Sequence, residues 1–318
     1  MRRNKGMGRL GRMFAVALLL VSGSAAARSG DPEQPAKPAP GGSNLSGVTV
    51  TPSPKADPLV DPAREFVRQH LPESAFSEQY PRFRDAICVK VQGLPDEFNA
   101  FVAKRIVEMA HHVKAPVAAA TDCTPNVQVI FTPQPQAQID DIARRKEILL
   151  GFHFQSQVRQ ITTFDRPVES WYVTRVRDYT GRSHLELSQL FGPDLDGSAD
   201  KPQGRAGSRL GNEMSSEIVH ALILADANKV AGEKIDTVAD YISVLALARW
   251  KGMDRCNPAV STILNRMVGG CDPARMPEAA TQADLALLTS LYSIDPRESG
   301  SMQRATIASA LRAADKTR

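Results

Sequence analysis

The chain predicts an α+β fold, a mixed sheet with flanking helices and a helical C-terminal third. Three observations carry this. Short apolar stretches that alternate or run unbroken recur at 126–132, 170–178, 183–188 and 218–225. Stretches with apolar residues at helical spacing interleave with them and then dominate after residue 235. At 42% hydrophobic over 318 residues, the composition supports an ordinary globular core.

Residues 1–27 read as a secretory signal peptide. Arg2, Arg3, Lys5, Arg9 and Arg12 form a basic leader, Phe14 to Val21 a short apolar run, and Ser22 to Ala27 a stretch of small residues. The apolar run is too short to span a bilayer as a mature helix, so no transmembrane segment is expected after its removal. The chain carries a formal +4, five positive charges of which sit in the leader, leaving −1 on the remainder. A near-neutral mature chain presents no general field for nucleic acid or an anionic membrane, and nucleic acid is excluded as a partner. Residues 28–60 are rich in Pro, Gly, Ser and Ala, a composition that predicts a linker, with Val48–Val50 as a short strand at most. A single globular domain is expected over 61–318.

That domain opens with a helix near Asp61, where Pro62 suits the first turn. Cys88 to Val91 reads as a short strand broken by Gly93 and Pro95. From Phe98 a helix follows, with Phe101, Val102, Ile106, Met109 and Val113 on one face. Asn126 to Thr132 is the clearest strand, and a helix-joined parallel pair between Cys88 and Thr132 is expected. Gln136 to Leu150 reads as a helix whose Arg144, Arg145 and Lys146 form a solvated face. Ser170 to Asp178 and Ser183 to Ser188 alternate as a hairpin, with Trp171 and Tyr172 assigned to the core. Phe191 to Gly211 is a Gly-rich loop. Its Asp194, Asp196 and Asp200 lack the Gly and Glu spacing of a calcium loop. Ile218 to Ala225 is a continuous apolar run read as a buried strand. Helices are expected over Ile235 to Trp250, Pro258 to Met267 and Asp284 to Tyr292, the last with Thr281 as N-cap.

All four cysteines, Cys88, Cys123, Cys256 and Cys271, follow the leader. An even count in an exported chain reads as two disulfides. Three connectivities are open, and the sequence-local pairs Cys88–Cys123 and Cys256–Cys271 are preferred because each closes one short segment. Zinc is disfavoured, since there is no C-x-x-C and no nearby His pair.

One cluster invites a catalytic reading. Ser216-Glu217-Ile218-Val219-His220 matches H-E-x-x-H except at its first position, where serine replaces a zinc ligand. Glu217 would be the base and His220 a metal ligand, with Asp226 or Asp240 as a further ligand. A strand here would put Glu217 and Val219 on one face and His220 on the other. No nucleophile elbow, phosphate loop or cofactor motif is present, so no cofactor is expected. Gly204 to Gly211, with Arg205 and Arg209, lacks the strand–helix frame of an anion loop.

Asp226, then Gly232-Glu233-Lys234-Ile235, Val238-Ala239-Asp240-Tyr241 and Leu245 to Ala248 resemble a family of uncharacterised exported bacterial proteins. Val129 to Thr132, Arg166 to Val168, Trp171-Tyr172, Ser261 to Asn265, Asp284 to Ala286 and Leu291-Tyr292 extend the likeness over most of 85–295. It implies an envelope or secreted protein and carries over no catalytic residues. A second likeness, to degenerate zincin-like exported proteins, rests on Glu217, His220-Ala221-Leu222, Ser261 to Asn265 and Leu291-Tyr292. The expected protein is therefore periplasmic or secreted. It acts by binding an envelope component or small ligand, with a zincin-like metallohydrolase as the alternative.

Overall fold

In a computed structural model the described residues are 61–119, 122–186, 213–272 and 276–316. The leader, the linker with Val48–Val50, and the Gly-rich loop 191–211 with its three aspartates and its arginines lie outside them.

Helix α1 (Pro62–His70) starts where Asp61 accepts a hydrogen bond from the Ala63 amide and Pro62 occupies the first turn. The short strand β1 (Arg82–Phe83) comes next, then β2 (Val89–Gln92), α2 (Asp96–His112) and β3 (Val127–Thr132). β2 and β3 pair in parallel, so β2–α2–β3 is the expected helix-joined unit. Between them Gly93 takes φ +103°, and a Cβ there would lie 1.9 Å from the Phe131 carbonyl oxygen. Gly93→Ala is therefore expected to cost about 2 kcal/mol through strain in the positive-φ turn and that clash. A lowered urea midpoint with unchanged slope would show it.

After β3 come α3 (Pro135–Arg145), a 3₁₀ turn at Glu147–Leu150 and a short α4 (Val158–Ile161). The expected helix to Leu150 thus stops early, where Lys146 leaves helical dihedrals. Strands β4 (Val168–Arg177) and β5 (Ser183–Glu186) form the expected antiparallel hairpin. Asp178 caps its turn by accepting from Thr180, Arg182 and His184. β6 (Ser215–Asp226) is the central strand. The sheet order is β2-β3-β6-β4-β5. β4 runs antiparallel along one edge of β6, while β1 and β3 share the other edge in succession, both parallel. The sheet is thus mixed, and with the C-terminal helices the fold is α+β.

Alternation along the strands sends side chains to two unequal cores. Val127, Val129, Phe131, Ala221, Ile223 and Ala225 face the large core, built with α1, α2 and the C-terminal helices. Its centre is α5 (Ile235–Leu247), buried at every position from Thr237 to Leu247. Helices α6 (Gln282–Ser293) and α7 (Gly300–Asp315) close over it. Thr281 caps α6 as expected, reciprocally with Asp284. Pro258 to Met267 holds only a 3₁₀ turn, Ile263–Met267. The opposite sheet face is thinly covered. Its core is Ile139, Ile142, Leu150, Trp171, Leu222 and Leu224, under α3 and the 3₁₀ turn. Among the described residues no helix is long and apolar enough to cross a membrane.

Candidate functional site

Two disulfides brace the domain at separate places. Cys88–Cys123 ties the start of β2 to the loop after α2, and Cys256–Cys271 closes the loop that carries the 3₁₀ turn. These are the sequence-local pairs. Within the second loop Asn265 accepts from the Asn257 amide and donates back to its carbonyl. Crosslinking the ends of such a loop removes freedom from the unfolded chain. Cys256→Ser with Cys271→Ser is expected to lower stability by about 3 kcal/mol, read as a shifted denaturation midpoint under non-reducing conditions.

The sequence candidates Glu217 and His220 lie on β6 at its least regular point. Arg175 pairs with Glu217 and Val173 with His220, and the register shifts between Val173 and Thr174. Val219 is the extra residue of a β-bulge. Because Arg175 and Val173 stand two apart on β4, Glu217 and His220 face the same side of the sheet. This corrects the opposite-face expectation, which assumed an unbroken strand. The other edge of β6 changes partner at the same place. β1 pairs with Glu217 and Ile218, and β3 begins at Ala221.

Chemically the two residues differ sharply. Glu217 is buried and both of its oxygens are taken: Arg175 Nε donates at 2.6 Å and Arg177 Nε at 3.2 Å. Arg175 also binds Asp85 at 2.8 Å. His220 is the reverse. Both ring nitrogens are shielded from solvent, and neither has a hydrogen-bond partner among the described residues. Burial pulls its pKa down to about 4, so the ring is neutral at pH 7. Asp226 lies at the far end of β6, opposite Thr132. Asp240 is held on α5 by Arg105 and the Ala280 amide. Among the described residues no three His, Cys, Asp or Glu side chains converge as a metal site needs.

Trp171 and Tyr172 take opposite faces and are both core, with their polar atoms spent on the Ile161 and Leu245 carbonyls. A buried network not anticipated from sequence surrounds Glu186. It accepts from Ser74 Oγ at 2.5 Å and from the Thr174 hydroxyl, with Arg249 at 3.9 Å. Glu186 is fully buried and also accepts from the Phe76 amide, so this network ties Ser74 and Phe76 to the sheet.

A concave feature of the thinly covered face lies beside α3. A cavity of about 410 Å³ is floored by Gln128, Ile130 and Leu222 of the sheet. Lys90 and Gln92 of the edge strand β2, register partners of Gln128 and Ile130, continue that floor, and Gln138, Asp141, Arg145 and Lys146 line it from α3 and its end. Arg145 and Lys146, expected as a plain solvated face, are thus exposed and also line this cleft. Leu222 is two residues from His220 on the same face, so the cleft continues the side of the sheet that carries the bulge.

No family model matches the chain, and neither does any curated protein or solved structure.

Proposed function

We propose that the protein is an exported binding protein, periplasmic or secreted, braced by its two disulfides, with the cleft beside α3 as its ligand face. The observation that carries the reading is the cleft itself. Its volume falls in the range of small-ligand sites, and amide, charged and apolar groups converge on it. The basic-apolar-small leader and the likeness to exported bacterial proteins support export. The disulfides accord with an oxidising compartment. A ligand on this face is a small molecule or a small part of an envelope component.

The test is a thermal-shift screen of the mature protein against sugars, amino acids and cell-wall fragments, repeated on Gln128→Trp. A ligand that raises the melting temperature of the wild type and not of the variant supports the reading. Shifts that survive the filled floor place binding elsewhere and overturn it.

The alternative, a zincin-like metallohydrolase with Glu217 as base and His220 as ligand, draws on one observation, their shared face. The engagement of both Glu217 oxygens by guanidinium groups weighs against a free base. One zinc per purified chain, lost in His220→Ala together with peptide hydrolysis, would favour it over the binding protein.

A further inference from the structure

The cleft lining carries three cations, Lys90, Arg145 and Lys146, against one carboxylate, Asp141. That carboxylate is already spent. It pairs with Arg145 at 2.9 Å and with Arg144 at 3.4 Å. Lys90 and Lys146 have no ion-pair partner among the described residues, and they reach the cavity from different elements. Lys90 projects from the open face of β2, and Lys146 sits just past the end of α3. Between them Gln92, Gln128 and Gln138 offer amide donors and acceptors over an apolar floor of Ile130 and Leu222.

Cations brought from two elements to a concave, partly apolar site concentrate positive potential where an anion would sit. Each salt link on the open surface would be worth little, but a ligand that reaches both lysines gains from both at once. Planar amides suit hydroxyl groups, which donate and accept in turn. We propose that the cleft takes a small, hydroxyl-rich anion, a sugar acid or a sugar phosphate, with Lys90 and Lys146 as its charge partners. This rests on the reading of the cleft as the ligand site.

The experiment is calorimetric titration of the mature protein at low salt with glucuronate, glucose 6-phosphate and glucose. The same titrations are run on Gln128→Trp and on the double variant Lys90→Glu/Lys146→Glu, each first checked for wild-type melting. Binding of either anion, weakened about tenfold or more by the charge reversal and lost in Gln128→Trp, supports the proposal. The preferred anion then distinguishes carboxylate from phosphate. Glucose binding as tightly as the anions, and lost only in Gln128→Trp, overturns the anionic class and leaves the cleft as the ligand site. Anion binding unaffected by charge reversal overturns the lysine assignment. No binding by any of the three overturns the proposed ligand class, and binding that survives Gln128→Trp overturns the cleft reading as well.

Discussion

Glu217→Ala is expected to destabilise the protein by about 3–5 kcal/mol, the range for removing one partner of a buried ion pair. The glutamate side chain is 4% exposed, and the variant would leave Arg175, only 19% exposed, with Asp85 as its remaining partner. Two guanidinium groups that now share a carboxylate would then face each other without it. Glu217→Gln keeps one acceptor oxygen and is expected to lose about half as much. Denaturation at pH 7 reads both. The pattern separates two roles for the residue. A structural carboxylate gives a graded loss of stability from Gln to Ala. A catalytic base gives normal stability in Glu217→Gln with an activity that vanishes, and that outcome would overturn the structural assignment.

The legible parts of the fold are those where one face is apolar and the other is not. Val127, Val129 and Phe131 are buried and alternate with half-buried Gln128, Ile130 and Thr132, two of them polar, and β3 appears where that alternation lies. Thr281 and Asp284 announce the start of α6 by cap chemistry alone. The run Ile218 to Ala225 gave a buried strand by its β-branched opening; it is buried on both faces save at the half-buried Val219 and His220, and it extends to Ser215 and Asp226. Elements held by distant partners left no local trace. Arg82–Phe83 is too short for any periodicity and exists because β6 offers it an edge. Gly300–Asp315 has small residues where a strong stripe would be needed, and packing against α1 and α6 secures it. α5 is apolar nearly all round, so its pattern marked a helix without showing that it is the centre of the core.

Site residues were legible to the extent that their chemistry is local. Cysteine spacing pointed to both disulfides. Glu217 and His220 stood out by resemblance to a motif, but their relation depends on a bulge at Val219 that no side chain there signals. The cleft was invisible because its lining comes from β2, β3, β6 and α3, and only the fold brings Lys90 near Lys146.

His220→Leu is expected to stabilise the protein at pH 7 by about 1–3 kcal/mol, since it replaces two buried polar atoms that lack partners among the described residues with apolar surface of similar size. The pH dependence adds a second signature. The folded-state pKa is about 4, below the ordinary histidine value of 6.5, so the unfolded chain takes up the proton first. Stability is therefore complete above about pH 6.5, falls as the pH drops through the window from 6.5 to 4, and levels off below. The wild type should lose about 3 kcal/mol across that window from this residue alone, and His220→Leu should lose none of that increment. At pH 4 the two proteins then differ by about 4–6 kcal/mol in favour of the variant. Urea denaturation of both proteins at half-unit steps from pH 4 to 8 measures the difference. Parallel pH profiles would mean that His220 finds hydrogen-bond partners in solution. A variant that gains stability but loses ligand binding would mark His220 as a group retained at a stability cost for the site, because the bulge turns it toward the face that holds the cleft.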